Sequence, residues 1–159
     1  MRKKIIRSDT LNQRSQPEQE WLDVEQIVRV ELTSEDPNFT IESALIADTG
    51  PGWRAAETGE QTIRLIFDTP RTVHRIRLEF SETEVERTQE FTLRWSRHAN
   101  APLEEIVRQQ WTFSPGGSTS EVEDYRVQLE HLLILALTIR PELGVPDSTF
   151  ATLRKFRMA

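Results

Sequence analysis

Trp53 and Arg54 stand side by side, directly after a glycine- and proline-rich stretch, Asp48-Thr49-Gly50-Pro51-Gly52. An indole offers a flat apolar face that can stack on a sugar ring. A guanidinium beside it can fork onto paired hydroxyls or a carboxylate. The competing role for Trp53 is to plug the end of a core, and for Arg54 to lie solvated or ion-paired at the surface. Asp48 has the hard oxygens that calcium prefers, or it can support the loop as an Asx turn. His98 sits in the turn Arg97-His98-Ala99-Asn100, where a side chain can reach a ligand. Trp53, Arg54 and His98 are therefore the candidate ligand contacts, and Asp48 the candidate metal ligand.

Other chemistries find no residues to run on. The chain has no cysteine, which removes disulfides, thiolate catalysis and cysteine zinc sites. His74, His98 and His131 are too far apart for a paired histidine metal motif. There is no Gly-x-Ser-x-Gly elbow. Ser114-Pro115-Gly116-Gly117-Ser118 lacks the spacing and the lysine of a phosphate loop, and reads as a hairpin turn. Glu82, Glu84 and Glu86 fall on one side of an extended segment, where their repulsion suits a solvated loop. No enzyme activity and no cofactor are expected.

The elements that must carry the candidate residues are extended. Ile63, Leu65 and Phe67 alternate with Arg64 and Ile66; Ile76, Leu78 and Phe80 with Arg75, Arg77 and Glu79; Phe91, Leu93 and Trp95 with Thr92 and Arg94. Period-two patterning puts each apolar set on one face of a strand. Asp68-Thr69-Pro70 reads as a turn between the first two runs. His74 shares parity with Ile76 and Leu78, which predicts a half-buried ring. Val107, Trp111 and Phe113 continue the pattern, then Tyr125, Val127 and Leu129. The run from Leu132 to Ile139 is apolar at nearly every position, so both its faces are predicted to be covered. A strand from Ile27 to Leu32 comes first, one from Ala151 to Met158 comes last, and residues 33–59 read as irregular apart from one helical turn over Ile41–Ile46. Residues 1–20 are polar and read as a tail or an edge extension. The expected fold is a single all-β, antiparallel sandwich over residues 21–159.

The formal charge of −6 opposes generic binding to nucleic acid, which needs clustered cations. No apolar run approaches the roughly 20 residues of a membrane span. The opening Met1-Arg2-Lys3-Lys4-Ile5-Ile6 is too short in apolar residues for a signal peptide, so the cytoplasm is expected. Arg64, Arg75, Arg77, Arg94 and Arg108 all fall on predicted strands. They form either a basic face for an anionic partner or cross-strand pairs with Glu79, Glu90 and Glu105.

The order of the pieces resembles the discoidin-like, galactose-binding-like jelly rolls, which include coagulation-factor type C domains and related carbohydrate-binding modules. The matching pieces are Val28-Arg29-Val30, the turn Ser34-Glu35-Asp36-Pro37, and Ala44-Leu45-Ile46-Ala47-Asp48-Thr49-Gly50 followed by Trp53. Gln61-Thr62-Ile63-Arg64-Leu65-Ile66-Phe67, Thr72-Val73-His74-Arg75-Ile76-Arg77-Leu78 and Phe91-Thr92-Leu93-Arg94-Trp95-Ser96 come next. Tyr125-Arg126-Val127 and Leu135-Ala136-Leu137-Thr138-Ile139-Arg140-Pro141 close the series. The resemblance covers about residues 25–158. It implies a non-catalytic module that binds a saccharide through loops at one end, or alternatively an intracellular protein-interaction domain using its loop end or a polar sheet face. Many relatives hold a structural calcium at the acidic loop. Here Asp48-Thr49-Gly50-Pro51-Gly52 departs from their Asp-Gly pattern, which argues against one.

Overall fold

The structure, a computed structural model, describes residues 21–46, 49–145 and 148–159. The stretch read as a tail (1–20) and Asp48 lie outside these residues.

The organising feature is a pair of unusually long strands. β3 (Gln61–Ser81) and β6 (Ser120–Arg140) each run 21 residues and pair antiparallel along their length. A straight strand that long would span about 70 Å. A compact domain of this size has a radius of gyration of only about 15 Å, so the ribbon must fold over. It does so where the register slips, between Ile66/Arg71, Arg71/Val73 and Val73/Arg75. Pro70 has no N–H to give the ladder there, and His131 on the facing strand takes a left-handed φ of 58°.

This fold-over generates the two layers. The first half of β3 and the second half of β6 join β1 (Val28–Leu32), β4 (Arg87–Ser96) and β5 (Glu104–Phe113) in the order β1-β3-β6-β4-β5. In the other layer, β8 (Lys155–Met158) pairs with the second half of β3, from Ile76↔Met158 to Glu79↔Lys155. A separate two-stranded sheet joins β2 (Trp53–Thr58) to β7 (Phe150–Leu153). A 3-10 turn (Val24–Gln26) precedes β1, and a helix, α1 (Ile41–Leu45), lies between β1 and β2.

Aromatic contacts confirm that the layers face each other. Phe80 on the second half of β3 stacks on Phe91 of β4 at 5.3 Å, and Tyr125 approaches Phe91 at 6.5 Å. Ile63, Leu65, Phe67, Leu78, Leu93, Leu135, Leu137 and Phe156 fill the space between, all fully or almost fully buried. Both faces of β6 are covered from Leu132 to Leu137, apart from a partly exposed Leu133, as its continuous apolar run predicts.

Several sequence expectations need correction. Asp68-Thr69-Pro70 does not reverse the chain; β3 continues through it, because the Asp68 N–H is taken by Ile27 O at 2.9 Å and the ladder resumes after the bulges. Those bulges also reset parity. Val73 and Ile76 both face the core, and His74 is exposed rather than half-buried. Residues 53–58 form a strand where irregular chain was expected: its alanines give a weak strand signal, but Trp53 and Ala55 alternate inward. The turn at 114–118 exists, with Gly117 N–H donating to Ser114 O at 2.8 Å, but it joins no hairpin. β5 pairs with β4, while the start of β6 pairs with β3. The last predicted strand is two, broken at Arg154, whose N–H goes to Glu79 O at 2.8 Å. Among the described residues, no helix is long and apolar enough to cross a membrane.

Candidate functional site

The fold-over places both ends of β3 at one end of the sandwich. Ser81 and Gln61 lie there with the start of β4, the end of β6 and the connection from β6 to β7. The opposite end holds the bend itself and the 97–103 loop, since Ser96 pairs with Ile134.

At the first end is a polar cleft of about 430 Å³, lined by Gly59, Glu60, Arg140, Pro141, Glu142, Gly144, Val145 and Thr149. Ligand sites are usually about 300–1,000 Å³, so the volume suits a small ligand. Gly59, at a φ of 88°, turns the chain from β2 into β3, and its N–H donates to Thr149 O at 3.0 Å. Arg140, at the last position of β6, is half-exposed and sits between two acids. Its Nη1 lies 3.5 Å from Glu90 Oε1 and its Nε 3.9 Å from Glu60 Oε1. Glu90 is itself buried. Gln110 Nε2 donates to it at 3.0 Å, and with Arg108 and Arg140 this holds its carboxyl below the usual range. Glu142 accepts from Thr149 Oγ1 at 2.5 Å and Ser148 Oγ at 2.9 Å, and these bonds likewise lower its pKa. The cleft therefore presents one guanidinium among carboxylates, on strand ends that the sheet fixes.

The residues singled out by the sequence do not assemble there. Trp53 is 1% exposed and belongs to the core. Its pairing with Leu153 turns the indole inward, so no ring face is open for stacking on a sugar. Arg54 is partly exposed and lies over the Phe150 ring at 4.7 Å. His98 is exposed at the opposite end, where it lines a cleft of about 100 Å³ with Trp95, Ser96, Arg97, Ala101, Pro102 and Glu104. Ser96 Oγ locks that turn, donating to His98 O at 2.8 Å and accepting from His98 N–H at 3.0 Å. The volume is below the usual ligand range. No hydrogen bond, ion pair or ring contact among the described residues joins Arg54 to His98. Arg140, Glu60 and Glu142 were not singled out in the sequence. The available signal was only that Arg140-Pro141 ends a strand and that Gly59 and Gly144 mark turns.

A third depression, about 510 Å³, runs between β1 and α1. Its floor is Val24, Val28, Val30, Leu32, Ile41 and Leu45, with Glu25, Glu35 and Glu42 at its rim. Glu35 is already used, accepting from Ile41 N–H at 2.8 Å to close the start of α1. The apolar floor suits hydroxyl-rich ligands less well than the loop-end cleft. Among the described residues, no group of three or more His, Cys, Asp or Glu side chains could hold a metal ion.

The five strand arginines divide between the layers. Arg75 and Arg77 lie on the second half of β3 beside Asp124, at 2.6 and 3.6 Å. Arg108 pairs with Glu90 and Glu105 at 3.0 and 2.9 Å. Arg64 and Arg94 share the outer face of the first layer, each paired in register with Ala136.

The fold is that of the galactose-binding-like, discoidin-like jelly rolls. A family 32 carbohydrate-binding module of AlyQ, solved in complex with 4,5-unsaturated mannuronic acid, is similar over 87% of this chain and 97% of its own, with a TM-score of 0.62 and 17% identity. The module CpGH89CBM32-5 from Clostridium perfringens, solved with GalNAc-β-1,3-galactose, is similar over 87% and 98%, with a TM-score of 0.63 and 14% identity. Reduced XRCC1, solved bound to the DNA polymerase β catalytic domain, is similar over 84% and 97%, with a TM-score of 0.56 and 15% identity. No protein-family model matches the chain, and no curated protein matches it.

Proposed function

We propose that this chain is a non-catalytic binding module that holds a saccharide in the loop-end cleft. The observation that carries the reading is the cleft's polar set: Arg140 beside Glu60, with Glu142 and Thr149 on the same lining. Carboxylates accept from vicinal hydroxyls and a guanidinium donates to ring and hydroxyl oxygens. The similar modules solved with sugars support it. Glu142 and Glu90 are held ionised, whereas a glycosidase acid needs a raised pKa. Among the described residues the carboxyl that is raised, Glu121, is 1% exposed, where no substrate reaches it. Recognition without an open aromatic ring rests on a few hydrogen bonds of about 1 kcal/mol each, so affinities of about 0.1–1 mM are expected.

A glycan array followed by calorimetry tests this. Binding of at least one glycan, lost in Arg140→Ala and kept in His98→Ala, supports the cleft. Binding lost in His98→Ala and kept in Arg140→Ala moves the site to the other end. A flat response across neutral and acidic glycans removes the reading.

The second reading is a protein-assembly domain. It is favoured by the similar fold of XRCC1, solved with a protein partner bound. A specific partner retained by the purified chain, in the absence of any glycan response, selects it.

A further inference from the structure

β1 ends the first layer on one side, and among the described residues it pairs with β3 alone. An edge strand carries one row of backbone groups that its own sheet leaves unbonded. The register identifies that row. Asp68 N–H donates to Ile27 O at 2.9 Å, and Thr33 N–H donates to Thr62 O at 3.1 Å. Bonded and non-bonded pairs alternate along an antiparallel ladder. Arg29 and Glu31, at the same parity, therefore direct their backbone groups to Ile66 and Arg64. Val28, Val30 and Leu32 aim their N–H and C=O groups away from β3. Among the described residues, no partner meets these groups on that side.

The same three residues line the groove of about 510 Å³ between β1 and α1. Their side chains are only partly buried, whereas Ile63 and Leu65 on the adjoining β3 are fully buried. Val24, Ile41 and Leu45 complete the apolar floor, and Ile46 stands exposed at its margin. The acids of the rim flank the strand. Glu25 stands just before β1, Glu35 just after it, and Glu42 on α1. Glu25 and Glu42 are exposed, and their carboxylates have no ion pair or hydrogen bond among the described residues. No Lys, Arg or His lines the groove among these residues. Arg29, on the opposite face of β1, lies 3.7 Å from Glu31.

We propose that the open edge of β1 docks an extended segment of a partner protein, with alternating apolar residues at its centre and Lys or Arg at its ends. Each part of the occupant follows from a separate observation. The row of free N–H and C=O groups is matched by another strand, which adds to the sheet edge. A saccharide or a lipid has no backbone that alternates donor and acceptor at strand spacing. An added strand sends every second side chain over the groove, whose floor is apolar, so those side chains are apolar. The rim glutamates, unopposed by a lining cation, select positive ends. The site lies apart from the loop-end cleft and does not depend on a glycan binding there.

Amide hydrogen exchange of the full chain, read by NMR with and without the peptide Lys-Lys-Val-Thr-Val-Thr-Val-Lys-Lys, tests it. With excess peptide, the Val28, Val30 and Leu32 amides slow about tenfold or more. Arg29 and Glu31, already bonded to β3, keep their rates. The peptide with Glu in place of each Lys binds about tenfold more weakly or worse. Glu25→Lys combined with Glu42→Lys weakens the basic peptide by a similar factor. Val30→Pro removes one open N–H at an edge position and abolishes binding. Should circular dichroism show that variant to be unfolded, the charge variant and the amide pattern decide. Unchanged exchange at the three amides overturns the proposal, as does slowing shared equally by Arg29 and Glu31. An acidic peptide that binds equally well, or a charge variant that binds normally, also overturns it. Slow exchange at the three amides before any peptide is added overturns it too, because the edge is then covered by this chain or by a second copy.

Discussion

Replacing Glu121 by Gln should stabilise the protein above neutral pH and leave it nearly unchanged in mild acid. Glu121 pairs in register with Phe80 and is 1% exposed between the layers. Gln89 Nε2 donates to its Oε1 at 2.9 Å, but its buried Oε2 has no donor. Burial, outweighing the Gln89 bond and reinforced by Glu123, pushes its pKa from 4.5 up to about 7. An acid raised on folding binds a proton more readily in the native state. Its contribution is full below pH 4.5 and is lost as pH rises through about 7. At about 1.4 kcal/mol per pH unit, the rise makes wild-type stability fall by about 3 kcal/mol between pH 4.5 and 8. Glutamine still accepts from Gln89, is never charged, and its amide can donate to Glu123. Urea denaturation at pH 5 and pH 8 measures both proteins. Glu121→Gln should exceed the wild type by about 2–3 kcal/mol at pH 8 and by less than about 1 kcal/mol at pH 5. Glu82, Glu90, Asp124 and Glu142 are all held low and titrate below this window. A wild-type stability that is flat from pH 5 to 8, or a variant weaker at pH 8, refutes the reasoning.

Arg87, with its side chain 1% exposed, donates to Glu82 at 2.8 Å, Pro141 O at 2.6 Å and Gln89 at 3.3 Å, over the Phe113 ring. Arg87→Ala leaves the buried Pro141 carbonyl without this donor and removes the partner of Glu82, so thermal or urea denaturation should show a loss of about 3–5 kcal/mol. Trp53→Ala should cost about 3–5 kcal/mol by the same assay as a core truncation, and Trp53→Phe should leave any glycan affinity unchanged. Gly52 has a φ of 85°, and a Cβ there would run into the Leu153 carbonyl and the Arg154 backbone. Gly52→Ala should therefore cost well over about 1 kcal/mol by urea denaturation.

Much of the fold was legible because alternation is a local signal. Ile63, Leu65 and Phe67, and then Leu78, Phe80, Phe91 and Leu93, declare their faces within a few residues. The fold-over was not legible. It depends on register slips between β3 and β6, partners about 60 residues apart, and Pro70 looks the same in a reversing turn and in a bend. The candidate site was harder still. Trp53 drew attention as an aromatic residue next to glycines, yet Leu153, 100 positions later, decides its burial. Arg140 and Glu60 are unremarkable strand-end charges until the strand ends meet. Arg64, Ala136 and Arg94 likewise become neighbours only through pairing.

The most direct measurement is an amide-resolved NMR titration of the folded chain with the best glycan from the array. Shift changes confined to Gly59, Glu60, Arg140, Glu142, Gly144 and Thr149 are the predicted result. Changes centred on residues 96–104, or saturating ligand with no amide moving near Arg140, would contradict the account.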